Sequence, residues 1–206
     1  MNHLSNAAVA ALLMSNIPRD FVLSVDELLF AGAKRAHAAS AGMHKGHRPS
    51  VLGQMRHFHM NEDFSHALEA IGANPTAIRG NTVVTGRLGI FTLGRFNIKA
   101  GLWNNGRRSR TRREMSLANR SVEPLVQPGL FGDVQPITEA TVFFVATFGS
   151  SDAPVSIDIA VPDKDMKGWL FREPLQVFAN RYYVIAEQPD NAVPMLKEQT
   201  KVETSE

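Results

Sequence analysis

The chain of 206 residues contains no cysteine. That excludes disulfides, thiol nucleophiles and cysteine-ligated zinc, and it fits a reducing compartment. No apolar run approaches the length that spans a bilayer. Met1 to Met14 carries an Ala-Leu run with no Lys or Arg before it. It lacks the charged start of a secretory signal and reads as structure, so a cytoplasmic location is expected. The formal net charge of +2 is too small to make the whole molecule a polyanion binder. No glycine-flanked nucleophilic serine occurs. Gly86-Arg87-Leu88-Gly89 is followed by neither Lys-Ser nor Lys-Thr, which removes a phosphate loop. Asp158, Asp163 and Asp165 are carboxylates at a strand end and turn, a setting that is ordinarily just solvated. A binding protein, not an enzyme, is the expectation.

What is present is ordinary for a globular chain: 44% hydrophobic and 20% charged residues. Residues 4 to 14 read as a first helix, ended by Asn16-Ile17-Pro18. Ser24 and Glu27 form a capping box that predicts a second helix, with Leu28, Leu29, Ala33 and Ala36 as its stripe. Asn61 predicts the cap of a third, carrying Phe64, Leu68 and Ile71 and stopped by Gly72. From Thr82 to Lys99 the period becomes that of a strand. Leu88, Ile90, Phe96 and Ile98 are expected on one face, with Arg87, Arg95, Asn97 and Lys99 opposite and the glycines marking a hairpin or bulge. Thr141 to Phe148 is apolar on both faces and reads as a central strand. Val155 to Val161 reads as a half-buried strand, Asp163 to Gly168 as a charged turn, and Trp169 to Phe178 and Arg181 to Glu187 as two more strands. Helices followed by strands predict an α+β fold, N-terminal helices packed on a mainly antiparallel sheet from the second half. The expected organisation is one domain over 1–188, helical over 1–75 and β-rich over 81–188. It includes an exposed basic and proline-rich segment, 103–136, and a flexible polar tail follows at 189–206.

Two clusters invite functional readings. Six of the seven histidines (His37, His44, His47, His57, His59 and His66) fall close together, with Glu62 and Asp63 nearby. A metal needs three or four convergent ligands, and the spacing shows none, so loop and surface imidazoles are expected and no metal or other cofactor is assigned. Arg107, Arg108, Arg110, Arg112 and Arg113 crowd into seven positions after a turn at Trp103 to Gly106. They suit phosphates, the carboxylates of an acidic partner, or simple solvation. Few aromatics interleave with them, which weakens a single-strand reading.

Between that run and the strands lies Gln127-Pro128-Gly129-Leu130-Phe131, framed by Pro124 and Pro136. Prolines at this density disfavour helix and central strand, so an exposed peptide is expected. The Gln127 amide offers a donor and an acceptor for a pocket rim. Leu130 and Phe131 are apolar anchors, each worth roughly 1.5–3 kcal/mol when fully buried. The alternative is a surface turn whose Leu130 and Phe131 fold onto the core. The pattern resembles the motif by which bacterial proteins bind the β sliding clamp: Gln, usually Leu, Ser or Asp, then Leu-Phe. Gln127, Leu130 and Phe131 match its anchors, whereas Pro128 and Gly129 depart from it.

With its cysteine-free composition and its His- and Arg-rich segments, the chain is similar to the SocB-type toxins of SocA–SocB toxin–antitoxin systems. The resemblance implies a toxin-like inhibitor of DNA replication that occupies the hydrophobic pocket of the clamp and blocks other clamp partners. It also implies a SocA-like antitoxin acting as proteolytic adaptor to the ClpXP protease. Glu203-Thr204-Ser205-Glu206 carries no apolar degradation tag, as adaptor dependence would have it. The arginines from Arg107 to Arg113 would add flanking contacts with an acidic rim. The alternative is a nucleic-acid-binding protein or metal-dependent nuclease using the His- and Arg-rich segments.

Overall fold

The computed structural model describes residues 3–101, 104–126, 136–149 and 152–186. Three helices come first: α1 (His3–Asn16), α2 (Arg19–Ser40) and α3 (Arg48–Ala70). Pro18 breaks the first from the second, its φ of −64° and extended ψ of 142° forming the N-cap of α2. The Ser24–Glu27 box therefore lies inside α2 and does not start it. Phe21, Val22 and Val25 are buried and carry the apolar stripe upstream of the box, so burial outweighs the local cap. Asn61 is likewise interior to α3, which begins with Pro49 in its first turn. Its amide donates weakly to Thr82 O (3.4 Å). Gly72, at a φ of 70°, stops α3 as its position predicts.

Five strands follow, β1 (Thr85–Leu88), β2 (Phe91–Lys99), β3 (Ala140–Phe148), β4 (Pro154–Pro162) and β5 (Trp169–Pro174). They form one sheet in the order β1-β2-β3-β4-β5. Neighbours are antiparallel except β2 and β3, which run parallel in the register Phe91↔Ala140 to Lys99↔Phe148. A parallel pair needs a crossover. Here its described part holds α4 (Asn104–Arg107), α5 (Arg110–Ser116), a 3-10 turn over Leu117–Ser121, and α6 (Glu123–Val126). Helix α7 (Leu175–Ala186) ends the described chain. The arrangement is α+β with a mostly antiparallel sheet.

The sheet buries both faces. On one, Phe91, Leu93, Val142, Phe144, Ile157 and Ile159 pack beneath the helices, with Phe144 edge-on to Phe21 at 5.6 Å. On the other, Phe96, Ile98, Phe143, Val145, Ala160 and Met166 form a second cluster against Met115 and Trp169. Every residue of β3 is buried, as its apolar run predicts. β4 is not half-buried: Asp158 and Ala160 are 4% and 0% exposed because this second face is also covered. Asp158 survives there through Arg172, whose Nε and Nη2 both reach Oδ2 at 2.6 Å.

Three further expectations change. Arg181 to Ala186 lies in α7, with Asn180 inside it, and β5 stops at Pro174. Leu175, Phe178, Ala179 and Tyr182 sit at helical spacing and bury against the main core. Leu88 and Ile90 pack with the main core instead of sharing a face with Phe96 and Ile98, since the turn at Gly89 (φ 55°) intervenes. Arg95 lies on the face opposite Phe96, as expected, and is buried there beneath α3. Finally, residues 104–126 of the segment expected to be exposed cover the sheet, with Ser116, Asn119 and Val122 buried. Asn104–Arg107 is a short helix, and Pro124 is accommodated in the first turn of α6. The tail 189–206 lies outside the described residues.

Candidate functional site

The crossover is fastened to the second face by a few polar contacts. The Asn119 side chain donates to Pro162 O (2.8 Å) and accepts from Thr141 N (2.7 Å), and Thr141 Oγ1 donates to Met115 O (2.7 Å). Met115 packs on the second cluster, and the Arg112 guanidinium lies 4.6 Å from the centre of the Phe96 ring. This docking decides which arginines point outward. Arg112 turns into the protein, and burial pulls its pKa down to about 10. Arg107, Arg110 and Arg113 remain on the solvent side and form one wall of a groove. Arg108 is exposed outside it.

The facing wall is the β4–β5 turn. Its organiser is Asp163, whose Oδ1 accepts from the backbone N–H of Asp165 (3.0 Å) and Lys167 (2.8 Å), while Oδ2 accepts from that of Gly168 (2.6 Å). Met166 is fully buried in the second cluster at a φ of 52°, an uncommon conformation for a side-chain-bearing residue. Pinned at these points, the turn presents Lys164, Asp165 and Lys167 to the groove. Lys164 is held from behind by Glu123 of α6, which accepts from its backbone N–H (3.2 Å) and lies 3.5 Å from Nζ.

The groove encloses about 410 Å³ and sets Arg107, Arg110, Arg113, Lys164 and Lys167 against Glu114 and Asp165. Both acids are already engaged, Glu114 by Arg110 (2.7 Å) and Asp165 by Lys167 (3.6 Å). That contact raises the Arg110 pKa. Arg107 and Arg113 form no ion pair among the described residues. The result is an open groove with an excess of positive charge, suited to anions.

A second concentration of charge lies inside, between β2 and α3. Arg95 is 3% exposed, and burial, then the positive charge of Arg112, holds its pKa down to about 9. Its Nη2 donates to Asn97 Oδ1 (2.8 Å) and its Nη1 weakly to His57 O (3.5 Å), leaving Nε without a partner. His57, half-buried beside both arginines, has its pKa lowered by burial and then by their charge. It sits 3.1 Å from the Asn61 amide.

The structure separates the remaining sequence candidates. Gln127, Leu130 and Phe131 lie outside the described residues. The histidines are dispersed. His37 meets Asp152 (3.0 Å), the His44 and His47 rings are 6.1 Å apart in the α2–α3 turn, and His59 contacts Glu62 (3.3 Å). His57, His59 and His66 belong to a helix, α3, not to a loop. Among the described residues no three His, Asp or Glu side chains gather as a metal site. Asp163 is structural, Asp165 lines the groove, and Asp158 is buried in its ion pair. Sequence reasoning missed Lys164 and Lys167, whose only signal was a charged turn far along the chain from the arginines. The chain matches no family model, no curated protein and no solved structure.

Proposed function

We propose that this protein acts by binding. Its Gln127–Phe131 peptide docks into the hydrophobic pocket of the β sliding clamp, excludes the replication factors that share the pocket, and so inhibits DNA replication as SocB-type toxins do. In this reading a SocA-like adaptor and the ClpXP protease set its level. What supports the reading, beyond the peptide itself, is where the peptide is attached. Gln127 follows directly on Val126, the last residue of α6, and Leu125 and Val126 pack on the main core. Ser121 Oγ donates to Glu139 O (2.6 Å), tying together the chain on either side of the peptide. Glu123, three residues before Val126, props the groove lysine. Fixed flanks lower the entropy lost on docking relative to a free peptide, so the intact protein should bind more tightly than the isolated sequence.

The test is direct binding of purified clamp to the parent and to Phe131→Ala and Gln127→Ala/Phe131→Ala proteins. Loss of the aromatic anchor should cost about 2 kcal/mol or more, roughly a thirtyfold rise in Kd. The apolar contact should survive added salt. Equal clamp binding by parent and double mutant would remove the reading.

A further inference from the structure

The groove has an identity apart from the peptide. We propose that the groove between α5 and the β4–β5 turn is a binding site for the phosphate backbone of double-stranded nucleic acid, held by Arg107, Arg113, Lys164 and Lys167.

Three observations carry this. First, two of the four cations are uncommitted, while Lys164 and Lys167 are shared with Glu123 and Asp165. Arg107 and Arg113 have no ion-pair partner among the described residues, whereas the two acids of the groove are already paired. An incoming anion meets in Arg107 and Arg113 charge that breaks no ion pair to receive it. Second, the positive charge continues beyond the groove. Exposed Arg108 adjoins it, and Arg79 lines the cleft on the other flank of α5, beside Thr111 and Met115. Arg87 shares the Thr92 side of the sheet through its pairing and is also exposed. Charge spread along a face suits a chain with a phosphate at every step better than a single carboxylate. Third, among the described residues no Phe, Tyr or Trp lines the groove. Unstacked bases need aromatic platforms, so a single strand is poorly served while a duplex offering its backbone is well served. Leu117, 59% exposed at the groove, adds an apolar surface for a sugar edge.

Binding is measured by fluorescence anisotropy across a salt series. The probes are a short DNA duplex, an RNA duplex and the single strand of the same sequence, with polyglutamate as competitor. Each neutralised phosphate contributes about −0.9 to the slope of log affinity against log salt, so the two unpaired arginines predict about −1.8 and all four cations about −3.6. Arg107→Gln/Arg113→Gln should flatten the slope by about 2. Lys34→Gln/Lys45→Gln, the same charge loss at exposed sites on α2 and its following turn, should leave it unchanged. Gln127→Ala/Phe131→Ala should bind duplex as the parent does, which keeps this result separate from clamp docking. The two duplexes decide between DNA and RNA as the natural source of the backbone. Absence of duplex binding overturns the proposal. So does a slope untouched by the groove variant, tighter binding of the single strand, or displacement by polyglutamate as effective as by duplex. The last outcome would give the groove to an acidic protein.

Discussion

Substituting Gly32 by Ala tests the packing on which the helical layer depends. A Cβ at Gly32 would lie 2.4 Å from Asp63 Oδ2 and 3.2 Å from both the Cα and N of Met60. The absence of a side chain is therefore what lets α2 and α3 approach. Asp63 is 3% exposed, its Oδ1 accepts from Arg35 Nη2 at 2.6 Å, and its Oδ2 has no hydrogen-bond partner. The carboxylate cannot yield without loosening the Arg35 contact. Helix propensity favours Ala over Gly by about 1 kcal/mol. Overpacking against a fixed backbone costs about 1–3 kcal/mol. The Arg35 side chain is 48% exposed, so solvent screening limits the loss of that ion pair to about 1 kcal/mol. The balance runs from near zero to about 3 kcal/mol of destabilisation, read as a lower denaturant midpoint at unchanged slope. A domain of this size should lose about 2–4 °C of Tm per kcal/mol. The mechanism has its own signature: Asp63→Ala should cost about 1 kcal/mol less in the Gly32→Ala background than in the parent. Gly32→Ala more stable than the parent, or strict additivity of the two changes, would refute the close crossing.

Two other perturbations address the site's scaffold and its interior. Asp163→Ala removes the acceptor of three backbone N–H groups and should destabilise the protein by about 2–3 kcal/mol. It should weaken duplex binding with every groove cation still present, and Asp163→Asn should recover part of both. Unchanged melting in Asp163→Ala would deny the carboxylate its organising role. His57 supplies a pH dependence. Its folded pKa lies below the ordinary 6.5, so between those values the unfolded chain binds the proton more readily. Its contribution to stability is complete above pH 6.5 and is lost as pH falls toward the lowered value. Tm measured from neutral to mildly acidic pH should fall less steeply in His57→Gln, and parallel curves would show that His57 is not buried against the two arginines.

Features legible in the sequence were those whose signal is local and repeated. The unbroken apolar run Thr141–Phe148 could only be a covered strand, and Gly72 stops its helix because the position needs a positive φ. Local signals failed where packing opposed them. Ser24 and Asn61 are sound caps in isolation, yet Phe21 and Val22 upstream of one and the continuous α3 around the other bury more than a cap stabilises. Helix α7 was disguised by composition. Val177, Phe178, Tyr182, Tyr183, Val184 and Ile185 favour strands as residue types, and only the spacing of Leu175, Phe178, Ala179 and Tyr182 reveals the helix.

The site was harder to read for a different reason. Five arginines in one run are chemically alike, and the sequence holds nothing that turns Arg112 over Phe96 while leaving Arg107 and Arg113 in water. That division arises because the 3-10 turn after α5 is pinned by Asn119 to β3 and β4, fixing the rotation of the helix. The same pinning brings the Asp163–Gly168 turn opposite, so half of the groove comes from residues that looked like an ordinary solvated loop. Net charge was equally uninformative. In helices α2 and α3 Asp20, Asp26, Glu27, Glu62, Asp63 and Glu69 are nearly balanced by Arg19, Lys34, Arg35, Arg48 and Arg56, whereas the groove sets five cations against two engaged acids. A total of +2 is the sum of these unlike surfaces. A partner meets only one of them at a time, and the field it feels is set by the local excess within about a Debye length. Near-neutral composition is thus compatible with a strongly cationic site, provided a fold gathers the charge that the sequence disperses.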